Sequence, residues 1–140
     1  VSDSSSPTFG GGIMTIGTTS TVLHRCTING DAATGSNGRG GGIFLGQNHT
    51  MTLANCTISD NEAGSRGGGL DVSNNSQLAY ILNTTIANNR LVGDPEEGGG
   101  IYIGPNTEVE LYSSIIADNT AQGGVDNDCY GQFDVLDFVH

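Results

Sequence analysis

The chain has 140 residues, room for one domain of ordinary size, and carries 15 acidic residues against 4 basic ones for a net charge of −11. The basic residues are all Arg, too few to neutralise a row of phosphates, which argues against nucleic acid and against an anionic membrane surface as partners. Hydrophobic residues make up 35% and charged ones 14%, too little for a conventional apolar globule and too little charge for a long disordered chain, whereas Gly reaches 23 residues, a share far above the usual figure of about 7%.

No stretch approaches the ~18 apolar residues of a membrane helix, so no membrane span is expected. The first residue is Val1, as in a processed product, and an extracellular or cell-surface location is the expectation. Three Cys without a CxxC pattern do not make a disulfide-built scaffold.

In chain order, residues 1–9 are small and polar up to Phe9 and read as a flexible lead-in without a substantial N-terminal cap. A phrase then recurs: Gly10-Gly11-Gly12-Ile13, Gly40-Gly41-Gly42-Ile43, Gly67-Gly68-Gly69-Leu70 and Gly98-Gly99-Gly100-Ile101. Self-similarity at a spacing of roughly 20–50 residues marks a solenoid, propeller or array. The phrase divides the chain into coils near 10–39, 40–66, 67–97 and 98–122, with a partial coil at 123–131 and a tail at 132–140. That tail, loosely alternating between apolar and acidic residues, reads as a terminal strand or a strand offered to a neighbouring subunit.

Each coil opens with a short apolar run, such as Ile43 to Leu45, followed by a second strand through Leu23, Leu53, Ile81 or Leu111. That strand ends on Cys26, Cys56, Thr84 or Ser114 and then on a recurring Ile: Ile28, Ile58, Ile86 and Ile116. Three places on comes Asp31, Asn61, Asn89 or Asn119. A third short strand is expected before the next triplet. Two or three short strands per turn with no helical periodicity suit an all-β parallel β-helix, a β-solenoid of about four to five coils.

Equivalent residues then stack about 4.8 Å apart. The Ile column becomes a core ladder, and the Asn column becomes a ladder of amides that both donate and accept. The Gly column, represented by Gly41, Gly68 and Gly99, suits a corner needing positive φ and close backbone approach. Phe9, Arg39, Arg66 and Glu97 precede the triplets, so Arg66 and Glu97 should be neighbours, while Arg39 and Arg66 need an anion or must splay apart.

On these GGGI and Ile-x-x-Asn phrases, over about 10–122, the chain resembles the repeats of chlamydial polymorphic outer-membrane proteins. It also resembles bacterial surface and secreted right-handed parallel β-helix proteins, which Asn55-Cys56-Thr57-Ile58-Ser59-Asp60-Asn61-Glu62-Ala63 and Ile116-Ala117-Asp118-Asn119-Thr120-Ala121 match closely. Ile replaces the Phe of the chlamydial F-x-x-N in every copy. The resemblance implies a surface-exposed or secreted solenoid, often adhesive or structural, and leaves the partner open.

Parallel β-helices also include carbohydrate-active enzymes. Here Asp60 and Asp118 would stand two rungs, or about 10 Å, apart, near the upper end for an inverting carboxylate pair. Nothing else converges on them, the positions are turn positions where Asp and Asn are expected, and the four Arg are too scattered for a lyase base. No catalytic residue is therefore expected. Asp126, Asn127 and Asp128 could offer oxygen ligands to Ca²⁺, without matching a known calcium motif; no other cofactor is expected. His24, His49 and His140 share no column, so no zinc site follows.

Cys26 and Cys56, one coil apart, are either disulfide-bonded or stacked thiols. Met14, Phe44, Asp71 and Tyr102 form an outward column, in which exposed Phe44 and Tyr102 could meet a sugar or a neighbouring chain. The Asn48, Asn55, Asn74 and Asn83 sequons are short matches in an Asn- and Thr-rich chain. Because solenoid ends expose strand edges, the expected function is a non-enzymatic extracellular structural subunit that self-assembles end to end into a fibre or surface layer. The alternatives are an adhesin or glycan-binding fragment and a carbohydrate-active enzyme.

Overall fold

The computed structural model describes residues 1–76, 78–93, 97–122, 128–132 and 134–137, with Leu78 and 134–137 through their backbone alone. Every strand in it is short, and every strand pairing is parallel and joins one coil to the next. Four sheets result. The first, following the glycines, contains Ile13–Thr15, Ile43–Leu45, Leu70–Val72, Ile101–Ile103 and Cys129–Tyr130. The second contains Ser20–His24, Thr50–Ala54, Leu78–Leu82, Val109–Tyr112 and Asp134–Asp137. The third stacks Thr27–Asn29, Thr57–Ser59, Thr85–Ala87 and Ile115–Ala117. The fourth stacks Ser5–Ser6, Ala32–Ala33, Glu62–Ala63, Arg90–Leu91 and Thr120–Ala121.

Each turn thus carries four strands, where the sequence suggested two or three. What divides the second strand from the third is a corner residue in the left-handed region: Arg25, Asn55, Asn83 and Ser113 all have φ between 46° and 56°. The other corners use the same device. Asn48, Asn75 and Asn106 turn the chain out of the first sheet, and Asp60, Asn88 and Asp118 turn it out of the third, all near φ 57°. Asn and Asp tolerate this conformation better than other residues with a Cβ, which accounts for much of the Asn content of the chain. The remaining corner belongs to the first glycine of each triplet, Gly10, Gly40, Gly67 and Gly98, with φ of 57°, 64°, 56° and 70°.

The glycine expectation therefore needs a correction. Gly41 and Gly68 do not carry positive φ; they are held to glycine by contact. A Cβ on Gly68 would lie 2.6 Å from the Arg90 carbonyl oxygen and closer still to that of Gly99, and one on Gly41 would meet the carbonyls of Glu62 and Gly68. Gly99 is buried in the same column and accepts from the Gly69 amide at 3.3 Å.

Inside, Ile28, Ile58, Ile86 and Ile116 stand in one register file, the first three fully buried and Ile116, on the last rung, half-buried. Ile43, Leu70 and Ile101 form a second file and Leu53 and Ile81 a third, so apolar ladders fill the interior although the chain is poor in apolar residues.

The lead-in expectation for residues 1–9 is also overturned. Ser5–Ser6 pairs with Ala32–Ala33, Ser2 bridges Asn29, Phe9 bridges Arg39, and the Asn29 amide donates to the Val1 carbonyl at 3.1 Å. These residues are half a coil laid on the first full one. The polar sequence misleads because the outer face of a solenoid is polar and only alternate residues point inward. At the other end, Asp134–Asp137 pairs with Val109–Tyr112, which gives the tail the terminal-strand role.

Candidate functional site

Three lateral columns gather the polar chemistry of the molecule. The first is the Asn column. The Asp31 amide donates to Asn61 Oδ1 at 3.0 Å, that of Asn61 to Asn89 Oδ1 at 3.1 Å, and that of Asn89 to Asn119 Oδ1 at 2.9 Å. The side-chain amides run in the same direction: Asn61 Nδ2 donates to Asn89 Oδ1, and Asn89 Nδ2 to Asn119 Oδ1, both at 2.9 Å. Each Nδ2 also donates back to a carbonyl of the preceding coil, Ile28, Ile58 or Ile86.

Both ends of this ladder are acids. Asp31 Oδ1 accepts from the Ser4 amide at 2.8 Å, while its Oδ2, in the place of an Asn Nδ2, is buried without a partner. Asp128 occupies the register position of a third triplet glycine, opposite Gly100, and its Oδ1 accepts from the Asn119 amide and from Asn119 Nδ2, each at 3.0 Å. The candidate calcium ligand is thus committed to the rod through Oδ1. Asp126 and Asn127 lie outside the described residues. Among the described residues no three His, Cys, Asp or Glu gather as a metal-binding group.

The second column is Cys26, Cys56, Thr84 and Ser114. The Cys56 amide donates to Thr84 Oγ1 and the Thr84 amide to Ser114 Oγ. The hydroxyls donate two residues back, to the Leu82 carbonyl at 2.9 Å and to the Tyr112 carbonyl at 2.8 Å. Cys56 Sγ imitates them, donating to the Ala54 and Leu23 carbonyls. All three cysteines are free. Burial, helped by the neighbouring Cys56 thiol, pushes the Cys26 thiol up to about 12, and burial pushes Cys129 up to about 11.

The third lies outside the first sheet, where Phe44 and Tyr102 were expected to be exposed. They are not: Phe44 is 6% and Tyr102 3% exposed. The left-handed glycine corner is preceded by Phe9, Arg39, Arg66 and Glu97, which bridge in that order, and this column folds over its neighbour. Arg39 Cζ lies 5.2 Å from the Phe44 ring centre and Arg66 Cζ 4.8 Å from that of Tyr102, within cation–π range. Phe9 packs on Phe44 at 4.7 Å, and Tyr130 stacks on Tyr102 at 5.4 Å.

Asp71, absent from the partners the sequence offered for the arginines, is the anion that Arg39 requires. It is fully buried and accepts from Arg39 Nε at 2.8 Å and Nη2 at 3.0 Å. Arg66 Nε stands 2.9 Å from Glu97 Oε2, as the register argument required. A signal for Asp71 was present: it is the one acid in the column beside the arginines. Burial raises Asp71 from 3.8 to about 6 against the opposing pull of Arg39, and burial also raises Tyr102.

The other candidates stay apart. Asp60 and Asp118 are exposed left-handed corners with Asn88 between them, as turn residues should be. His49 is buried between the Thr19 and Thr21 hydroxyls, and His24 meets Asn55 at the surface. His140 lies outside the described residues. A groove of about 510 Å³ runs beside Tyr130, Asn106, Thr107 and Gln132; among the described residues its lining offers hydroxyls, amides and aromatic faces.

In comparison with known proteins, the family model described as right handed beta helix region matches residues 2–135. No curated protein and no solved structure matches the chain.

Proposed function

The chain belongs to the right-handed β-helix family, and from that premise we propose that it is a non-enzymatic structural solenoid of the cell surface or extracellular space whose coils stack end to end with those of another copy. The supporting observation is the pair of open edges. Ile13–Thr15 and Ser20–His24 have a neighbouring strand on one side only, as do Ile115–Ala117 and Thr120–Ala121 at the other end among the described residues. Such edges carry unpaired N–H and C=O groups that template a further strand, and a head-to-tail contact that does not close builds a filament. The buried polar side chains support the same reading, because the Asn ladder and the Arg39–Asp71 pair spend their hydrogen bonds on joining coils. Negative-stain micrographs of the purified chain, with light scattering across a concentration series, test it. Rods much longer than the ~25 Å of five stacked coils are expected, and a single species of monomer mass at high concentration refutes the assembly.

A second reading rests on Tyr130, which is 36% exposed and stacked on Tyr102 beside the groove: an aromatic platform flanked by amides and hydroxyls suits a glycan. A glycan array on the wild type and on Tyr130→Ala separates it from the first.

A further inference from the structure

We propose that Cys26 and Cys56 are the two halves of an axial disulfide that staples the first full coil to the second when a small-molecule disulfide is present. Three observations converge on this pair. The residues that follow them, Thr27 and Thr57, are direct register partners, and the Thr57 amide donates to the Cys26 carbonyl at 2.9 Å. Neighbouring parallel strands hold equivalent Cα atoms about 4.8 Å apart, inside the range a disulfide spans. Cys26 is partly exposed, so an oxidant reaches it, whereas Cys56 is buried and waits behind it.

The rest of the column shows why a thiol pair is more than a substitute for hydroxyls. Thr84 and Ser114 perform the hydrogen-bonding task of this corner with short bonds from strong donors, and a thiol is a weak donor in the same place. What two stacked cysteines add is a bond that hydroxyls cannot make. It ties the first full coil, whose Ile13–Thr15 and Ser20–His24 strands have one neighbouring strand each, to the second.

The chemistry is two-step exchange. Cys26 Sγ, as thiolate, attacks the small disulfide to give a mixed disulfide and release one small thiol. Cys56 Sγ then displaces the second small thiol and forms the Cys26–Cys56 bond. Two S–H bonds are lost, their protons end on the released thiols, and the small disulfide takes up the two electrons. Burial keeps the Cys26 thiolate scarce at neutral pH, so the reaction is slow there and quickens about tenfold per pH unit as the solution is made alkaline.

The test is to incubate the folded chain with oxidised glutathione across that pH range, trap free thiols in denaturant, and map linked peptides by mass spectrometry. Expected are one remaining thiol of three, a single linked peptide pair holding Cys26 and Cys56, and a melting temperature several degrees above the reduced chain. Cys26→Ser and Cys56→Ser, which place in the column the residue it already holds at Ser114, should fold, lose the crosslink and lose the oxidant-dependent rise; Cys129→Ser should keep both. The proposal is overturned if three thiols persist under alkaline oxidation, if Cys129 supplies the crosslink, or if the crosslinked chain melts lower. It stands independently of end-to-end assembly, because the reaction joins two coils of one molecule.

Discussion

The polarity of the Asn ladder makes one chemical change act in opposite directions at two of its rungs. Exchanging an amide for a carboxyl at Asn89 keeps the oxygen that accepts from the Asn61 amide and Asn61 Nδ2. It removes three donations, to the carbonyls of Ile58 and Ala87 and to Asn119 Oδ1, and sets an oxygen among three oxygens about 3 Å away. Asn89 is fully buried, so water cannot compensate, and Asn89→Asp should cost about 3–5 kcal/mol. At Asp31 the exchange runs the other way. Its Oδ2 is orphaned where each Asn directs Nδ2, so Asp31→Asn restores the missing donation to Asn61 Oδ1 and should stabilise the chain by about 1–2 kcal/mol. Urea unfolding followed by circular dichroism reads both: the midpoint should fall for Asn89→Asp and rise for Asp31→Asn with similar slopes. If both midpoints move the same way, or Asp31→Asn lowers it, the ladder does not carry the directed bonds described.

Three other outcomes are expected. Gly68→Ala drives a Cβ into the carbonyls of Gly99 and Arg90 and should cost more than about 3 kcal/mol, whereas Gly17→Ala, with open space around it, should cost about 1 from its positive φ alone; urea midpoints compare them. Between pH of about 4 and 6 the folded chain binds a proton at Asp71 that the unfolded chain does not, so this residue's contribution is complete at low pH and is lost as pH rises through about 6. The stability of wild type minus that of Asp71→Asn should therefore fall over this range by roughly 3 kcal/mol, and a flat or rising difference would contradict the burial-driven shift. Ile86→Ala opens a cavity in the fully buried file and should cost about 2–5 kcal/mol in the same unfolding assay.

Repetition made the architecture legible in the chain itself. Because a solenoid places equivalent residues above one another, the recurrence of Gly triplets, Ile28 with its successors and Asn61 with its successors fixed the stacking register, the core file, the amide ladder and the Arg66–Glu97 pairing. Nothing comparable announced the corner between the second strand and the third. Asn55, Asn83 and Ser113 read as continuing strand until their left-handed backbone divides it, since one residue's φ leaves no periodic trace. The fate of Phe44 and Tyr102 was likewise decided in three dimensions. Alternation along a strand separates inward from outward, but not an outward side chain in water from one roofed by an arginine of the neighbouring column. Burial of Asp71 beneath Arg39, and the use of Asp128 from a glycine position to end the Asn ladder, depend on how side chains cross between columns, and one-dimensional spacing carries no record of that crossing.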